Sequence, residues 1–138
     1  MLKKIVSLVV GFISALIVLV GIEELGHSIF PVPQNLNYND HKAMDNFIRT
    51  LPAMAFVFVL FAHFSSAFIG SFITSLISKT NGLLGLIIGS LVLIGAIINI
   101  LMLPFQPIWF VVLDILFTSI GAWMAFKTAF KIYIASQK

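Results

Sequence analysis

Six polar residues stand out in an otherwise apolar chain: Glu23, Glu24, His27, His63, Asn99 and Asp114. Carboxylates and imidazoles are the side chains that move protons, hold cations and ligate metals. An ionisable group deep in a bilayer costs at least ~2.5–3.5 kcal/mol to insert, which makes it a functional candidate by default. The six fall into two constellations. Glu23, Glu24 and His27 follow one another at helical spacing, with His27 between the two acids and one turn beyond them. Glu24-Leu25-Gly26-His27 has the Glu-x-x-His spacing of di-iron bundles, but such a centre needs a second motif and two more carboxylates. The remaining acid within an apolar stretch is Asp114. A single zinc or similar ion on Glu24, His27 and one further ligand is the metal site these residues leave open. The alternative is that all three are hydrated at a membrane interface, with lysines as counter-ions. No resident cofactor is expected.

The second constellation is His63, Asn99 and Asp114. All three fall on stripes of small residues, so they are expected to face protein rather than lipid. Asn99 can hydrogen-bond between helices and hold register. His63 can satisfy itself on a carbonyl or on a hydroxyl such as Ser66. Asp114 has the weakest structural excuse and is the strongest candidate for handling a proton or cation.

The bulk of the chain explains why these residues matter. Of 138 residues 60% are hydrophobic and 9% charged, with mean hydropathy +1.12, against roughly 25% charged in an ordinary soluble domain. A small soluble fold cannot bury so much apolar surface. Disorder is excluded by the same composition, and the lack of cysteine removes disulfides, zinc-thiolate sites and redox dithiols. The expected fold is an all-α integral membrane protein, one domain over 1–138 with the lipid bilayer as its first partner.

Charge-free stretches set the spans, since a helix needs ~20 apolar residues to cross. Four helices are expected, at about 4–29, 50–78, 82–103 and 107–131, forming an up-down bundle with an outer loop at 30–49. No small-x-small cleavage site follows the first apolar run; Glu23 and Glu24 do, so it reads as an uncleaved helix. With the N-terminus inside, Lys3, Lys4, Lys79, Lys127, Lys131 and Lys138 are cytoplasmic and only Lys42 and Arg49 lie outside. That bias puts both termini in the cytoplasm. The outer loop opens on the extended Pro31-Val32-Pro33. Asn39 or Asp40 then caps a short amphipathic helix carrying Ala43, Met44, Phe47 and Ile48, which is expected to run on into the second span with a kink at Pro52. Thr80-Asn81-Gly82 and Pro104 to Pro107 make tight turns.

Lipid gives no hydrophobic drive between helices, so small residues mark the contacts. Ser7, Gly11, Ser14, Val18 and Gly21 form one stripe; His63, Ala67, Gly70, Thr74 and Ile77 a second. Gly82, Gly85, Gly89, Val92, Ala96 and Asn99 form a third, and Asp114, Thr118, Gly121, Ala125 and Thr128 a fourth. Gly11, Gly21, Gly70, Gly85, Gly89 and Gly121 are the expected packing glycines. There is no P-loop, no Gly-x-Ser-x-Gly elbow and no basic patch for nucleic acid.

From Gly21 to Ile69 the chain resembles a group of small bacterial four-span membrane proteins. Their pattern, Gly-x-Glu-x-x-Gly-His-x-x-aromatic-Pro-x-Pro, reads here as Gly21, Glu23, Gly26, His27, Phe30, Pro31 and Pro33, followed by Asn39-Asp40 and Leu51-Pro52. The resemblance implies a multi-pass protein of the bacterial inner membrane and joins Glu23 and His27 to the proline loop as a unit. It supplies no substrate and does not include His63 or Asp114. The leading expectation is a non-enzymatic accessory or assembly subunit that docks a membrane partner, or a second copy of itself, through the outer loop and the Glu23/His27 edge. The alternative is a small proton- or cation-coupled transporter using Asp114, His63 and Glu24. A metal-dependent membrane enzyme comes third.

Overall fold

A computed structural model describes residues 1–37, 39–80, 82–103 and 105–137. Tyr38, Asn81, Pro104 and Lys138 lie outside the described residues, and with them the centre of the Thr80–Gly82 turn, the start of the Pro104–Pro107 turn and one lysine of the charge bias. Among the described residues the secondary structure is helical: α1 (Leu2–Ile29), α2 (His41–Thr50), α3 (Ala53–Ser78), α4 (Leu83–Met102) and α5 (Ile108–Ala135). All but α2 are long and apolar enough to cross a membrane. The expected all-α, four-span fold is what the chain forms.

The second span differs from expectation at its start. Leu51 is extended (φ −68°, ψ 131°), and Pro52 is the N-cap of α3. The chain therefore breaks where a kink was expected. The residue before proline is pushed out of the helical region, and at a helix start the missing proline N–H costs no hydrogen bond. The short α2 becomes independent, capped by Asp40, whose Oδ1 accepts from the backbone N–H of Lys42 at 2.9 Å and of Ala43 at 3.2 Å. Such a cap is worth ~1 kcal/mol. Met44 and Ile48 on its apolar face join Phe56, Leu60 and Phe110 in a core cluster at one end of the bundle.

Helix α3 takes the centre. It packs on α1, α4 and α5, whereas among the described residues α1 and α5 make no contact with each other. The bundle is up-down in chain direction, with a central helix in place of a closed square. Small side chains round more than one face of α3 explain this: Ala62, Ser66, Ala67, Gly70, Ser71, Thr74 and Ser75 are all buried, so three neighbours can approach. A Cβ on Gly70 would stand 2.7 Å from the Ala15 Cβ, and one on Gly121 would stand 2.6 Å from the Phe64 carbonyl oxygen. On Gly11, Gly85 and Gly89 it would overlap Thr74, Ser75 and Ala122 respectively. Gly21 differs: it is exposed, and a Cβ there would meet nothing within 4 Å. The α1 contact stripe instead runs through Ser7, Gly11, Ala15, Ile22 and Gly26. Steps of four dominate it, so it drifts away from the expected alternation of four and three.

The outward faces suit lipid. Val9, Ile13, Ile17 and Val20 of α1 and Ile94, Ile98 and Leu101 of α4 are exposed. Trp109 is half-exposed at the start of α5 and Trp123 about midway along it, with the Lys127 ammonium 4.2 Å above the Trp123 ring.

Candidate functional site

The interface between α3 and α5 holds the chain's one long-range charged contact among the described residues. His63 Nδ1 lies 2.7 Å from Asp114 Oδ1. His63 is 4% exposed and Asp114 0%. Each side chain sits on its helix's small-residue stripe, which brings the two backbones close enough for short side chains to meet. Ser66 is not the histidine's partner; its hydroxyl donates to the His63 carbonyl at 3.0 Å, as helical serines do.

The pair has a simple proton chemistry. With one proton shared between imidazole and carboxylate in addition to the ring's own N–H, it is neutral overall, whether as imidazolium–carboxylate or imidazole–carboxylic acid. An imidazole and a carboxylate in hydrogen-bond contact can pass a proton between them. Asp114 Oδ2 is buried with no partner, and so is Oγ1 of Thr118, one turn along α5. Most buried hydroxyls of α3 are satisfied locally: Thr74 on the Gly70 carbonyl at 2.9 Å, Ser75 on that of Ser71 at 2.8 Å. Buried unpaired oxygens are expensive, so Asp114 Oδ2 and Thr118 Oγ1 are two costs that packing alone does not explain.

His63 is also part of a cavity wall. A cavity of about 290 Å3 between α1, α3 and α4 is lined by Glu23, His63 and Asn99 together with apolar residues such as Leu19 and Val92. With Nδ1 taken by Asp114, Nε2 is the ring nitrogen left to face this space. A second cavity, about 320 Å3, lies at the α2 end of the bundle and is lined by Glu23, His27, Asn99 and Gln106 with Phe47, Phe56, Phe58 and Phe110. Glu23 and Asn99 border both cavities. The Asn99 Oδ1 accepts from Gln106 Nε2 at 3.2 Å, while Gln106 Oε1 is buried without a partner.

The first constellation is thus divided. Glu23 is half-buried and borders the interior; Glu24 is exposed and lines neither cavity; His27 is exposed at the rim of the second. Of the two adjacent acids it is thus Glu23 that turns inward and Glu24 that turns out. The drift of the α1 stripe is the cause, since it turns Glu23 inward. Among the described residues no three His, Asp or Glu side chains come close enough to hold a metal ion, so Glu24 and His27 gain no third ligand.

Gln106 was missed as a site residue. Its signal was available: it is an amide between Pro104 and Pro107, seven residues from Asn99. The His63–Asp114 pairing is not legible in the sequence either, although both residues fall on stripes that face the protein interior. No protein-family model, no curated protein and no solved structure matches the chain.

Proposed function

We propose that this protein is a small proton-coupled transporter of the bacterial inner membrane, with both termini cytoplasmic. One observation carries the reading: a fully buried His63–Asp114 pair whose imidazole lines a cavity shared with Glu23 and Asn99. A buried ionisable pair is poor value as a stabiliser, because desolvation offsets most of the attraction, and within membranes such pairs mark proton relays. Glu23, bordering both cavities, links the relay to the rest of the interior. Glu24, exposed, has no part in it. The inner-membrane placement and the orientation rest on the lysine bias and on the resemblance over residues 21–69.

The test is proton flux. Purified protein in proteoliposomes, given a pH gradient, is expected to move protons. Asp114→Asn keeps shape and hydrogen bonding but cannot exchange a proton, so it is expected to abolish the flux.

A second reading, an accessory subunit that docks a partner, is favoured by the exposure of Glu24 and His27 beside the proline loop. Copurification from native membranes separates the two. A stoichiometric larger partner supports docking, and a self-contained particle supports transport.

A further inference from the structure

The cavity at the α2 end takes no part in the proton step, yet its lining has a definite chemistry. We propose that it binds a small lipophilic ammonium ion, the substrate class of the transport reading on which this inference rests.

Four observations point to that ligand. The walls are aromatic, with Phe47, Phe56, Phe58 and Phe110 facing the space; such rings take apolar bodies and, through their faces, cations. Among the described residues the lining holds one carboxylate, Glu23, and no Lys or Arg, so an anion would meet an acid with no counter-charge. Asn99 and Gln106 also line the space, and side-chain amides can hydrogen-bond an ammonium N–H where a hydrocarbon offers nothing. The volume, about 320 Å3, lies at the low end of ligand pockets and suits a body of one or two rings. His27, the other titratable group on the lining, is exposed at the rim. Because Glu23 also borders the His63 cavity, one carboxylate faces both the bound cation and the proton relay, which would couple their exchange.

Equilibrium binding to the full-length protein in lipid nanodiscs tests this. The probes are 1-naphthylmethylammonium and its neutral isostere 1-naphthylmethanol. The ammonium is expected to bind saturably, one per chain, about tenfold or more tighter than the alcohol. Glu23→Gln is expected to weaken it about tenfold or more, and Glu24→Gln by less than about twofold. Ala55→Phe, which fills the cavity from its α3 wall, is expected to abolish binding, and it stands in for Glu23→Gln should that variant fail to fold. Equal binding of amine and alcohol, equal losses in Glu23→Gln and Glu24→Gln, or the absence of saturation would overturn the assignment. If binding is absent while proton flux still requires Asp114, the substrate class falls and the transport reading stands. If binding is present while flux ignores Asp114, the transport reading falls.

Discussion

His63 Nδ1 and Asp114 Oδ1 stand 2.7 Å apart across the α3–α5 interface, sealed from solvent on all sides but one small cavity. The contact joins the second and fourth spans, which run in the same direction and are not chain neighbours. It therefore links two spans that no short hairpin joins. Truncating either partner leaves the other buried and alone. His63→Ala and Asp114→Ala are each expected to lower stability by ~3–5 kcal/mol. The double variant is expected to cost less than the sum of the two by ~0.5–3 kcal/mol. Denaturant unfolding in detergent micelles measures all three; strict additivity would mean that the two groups do not interact.

The glycines divide into two groups with opposite expected responses. At Gly85 an added Cβ would overlap the Ser75 hydroxyl and the Ser71 carbonyl, so α4 must move off α3. Gly85→Ala is expected to cost ~1–3 kcal/mol. At Gly21 nothing lies within 4 Å, so Gly21→Ala gains helix propensity alone, ~0.5–1 kcal/mol. Thermal unfolding of the two variants in one detergent should give shifts of opposite sign.

Helix α2 depends on its cap because it is short and follows an irregular loop. Asp40→Ala removes the acceptor for two backbone N–H groups. The expected loss is ~1 kcal/mol, felt locally as faster amide hydrogen exchange at Lys42 and Ala43 with little change inside α3. Uniform acceleration across the chain would mean that α2 and the spans unfold as one unit.

Orientation is open to direct labelling because the chain has no cysteine. Single variants Lys42→Cys, on α2, and Thr80→Cys, just past α3, place a thiol on the chain before and after the second span. An impermeant maleimide added to intact cells is expected to label Lys42→Cys only, and after lysis to label both. The reverse pattern would invert the topology.

Much of the fold was legible because a bilayer leaves few choices. Charge-free runs gave the four spans, and Gly11, Gly70, Gly85, Gly89 and Gly121 marked where helices meet. Two features depended on detail that periodicity does not carry. At Pro52 the preference of the preceding residue for extended backbone turned a kink into a break. On α1, steps of four drifted the stripe onto Ile22 and Gly26 in place of Gly21, which turned Glu23 inward and left Glu24 out. The His63–Asp114 pair needed knowledge of which helix is central, and this depends on small residues lying round several faces of α3 at once. It also needed the depth of His63. His63 lies ~15 Å along α3, which begins at Ala53 rather than at the earlier end of the charge-free run.

Proton flux through Asp114 is the decisive quantity. Proteoliposomes containing the protein and a pH-sensitive dye inside are expected to collapse an imposed pH gradient faster than empty vesicles. Asp114→Asn, shown by chromatography and circular dichroism to be folded, is expected to return the rate to that of empty vesicles. A folded Asp114→Asn that moves protons as fast as the unaltered protein would contradict the role given to the His63–Asp114 pair.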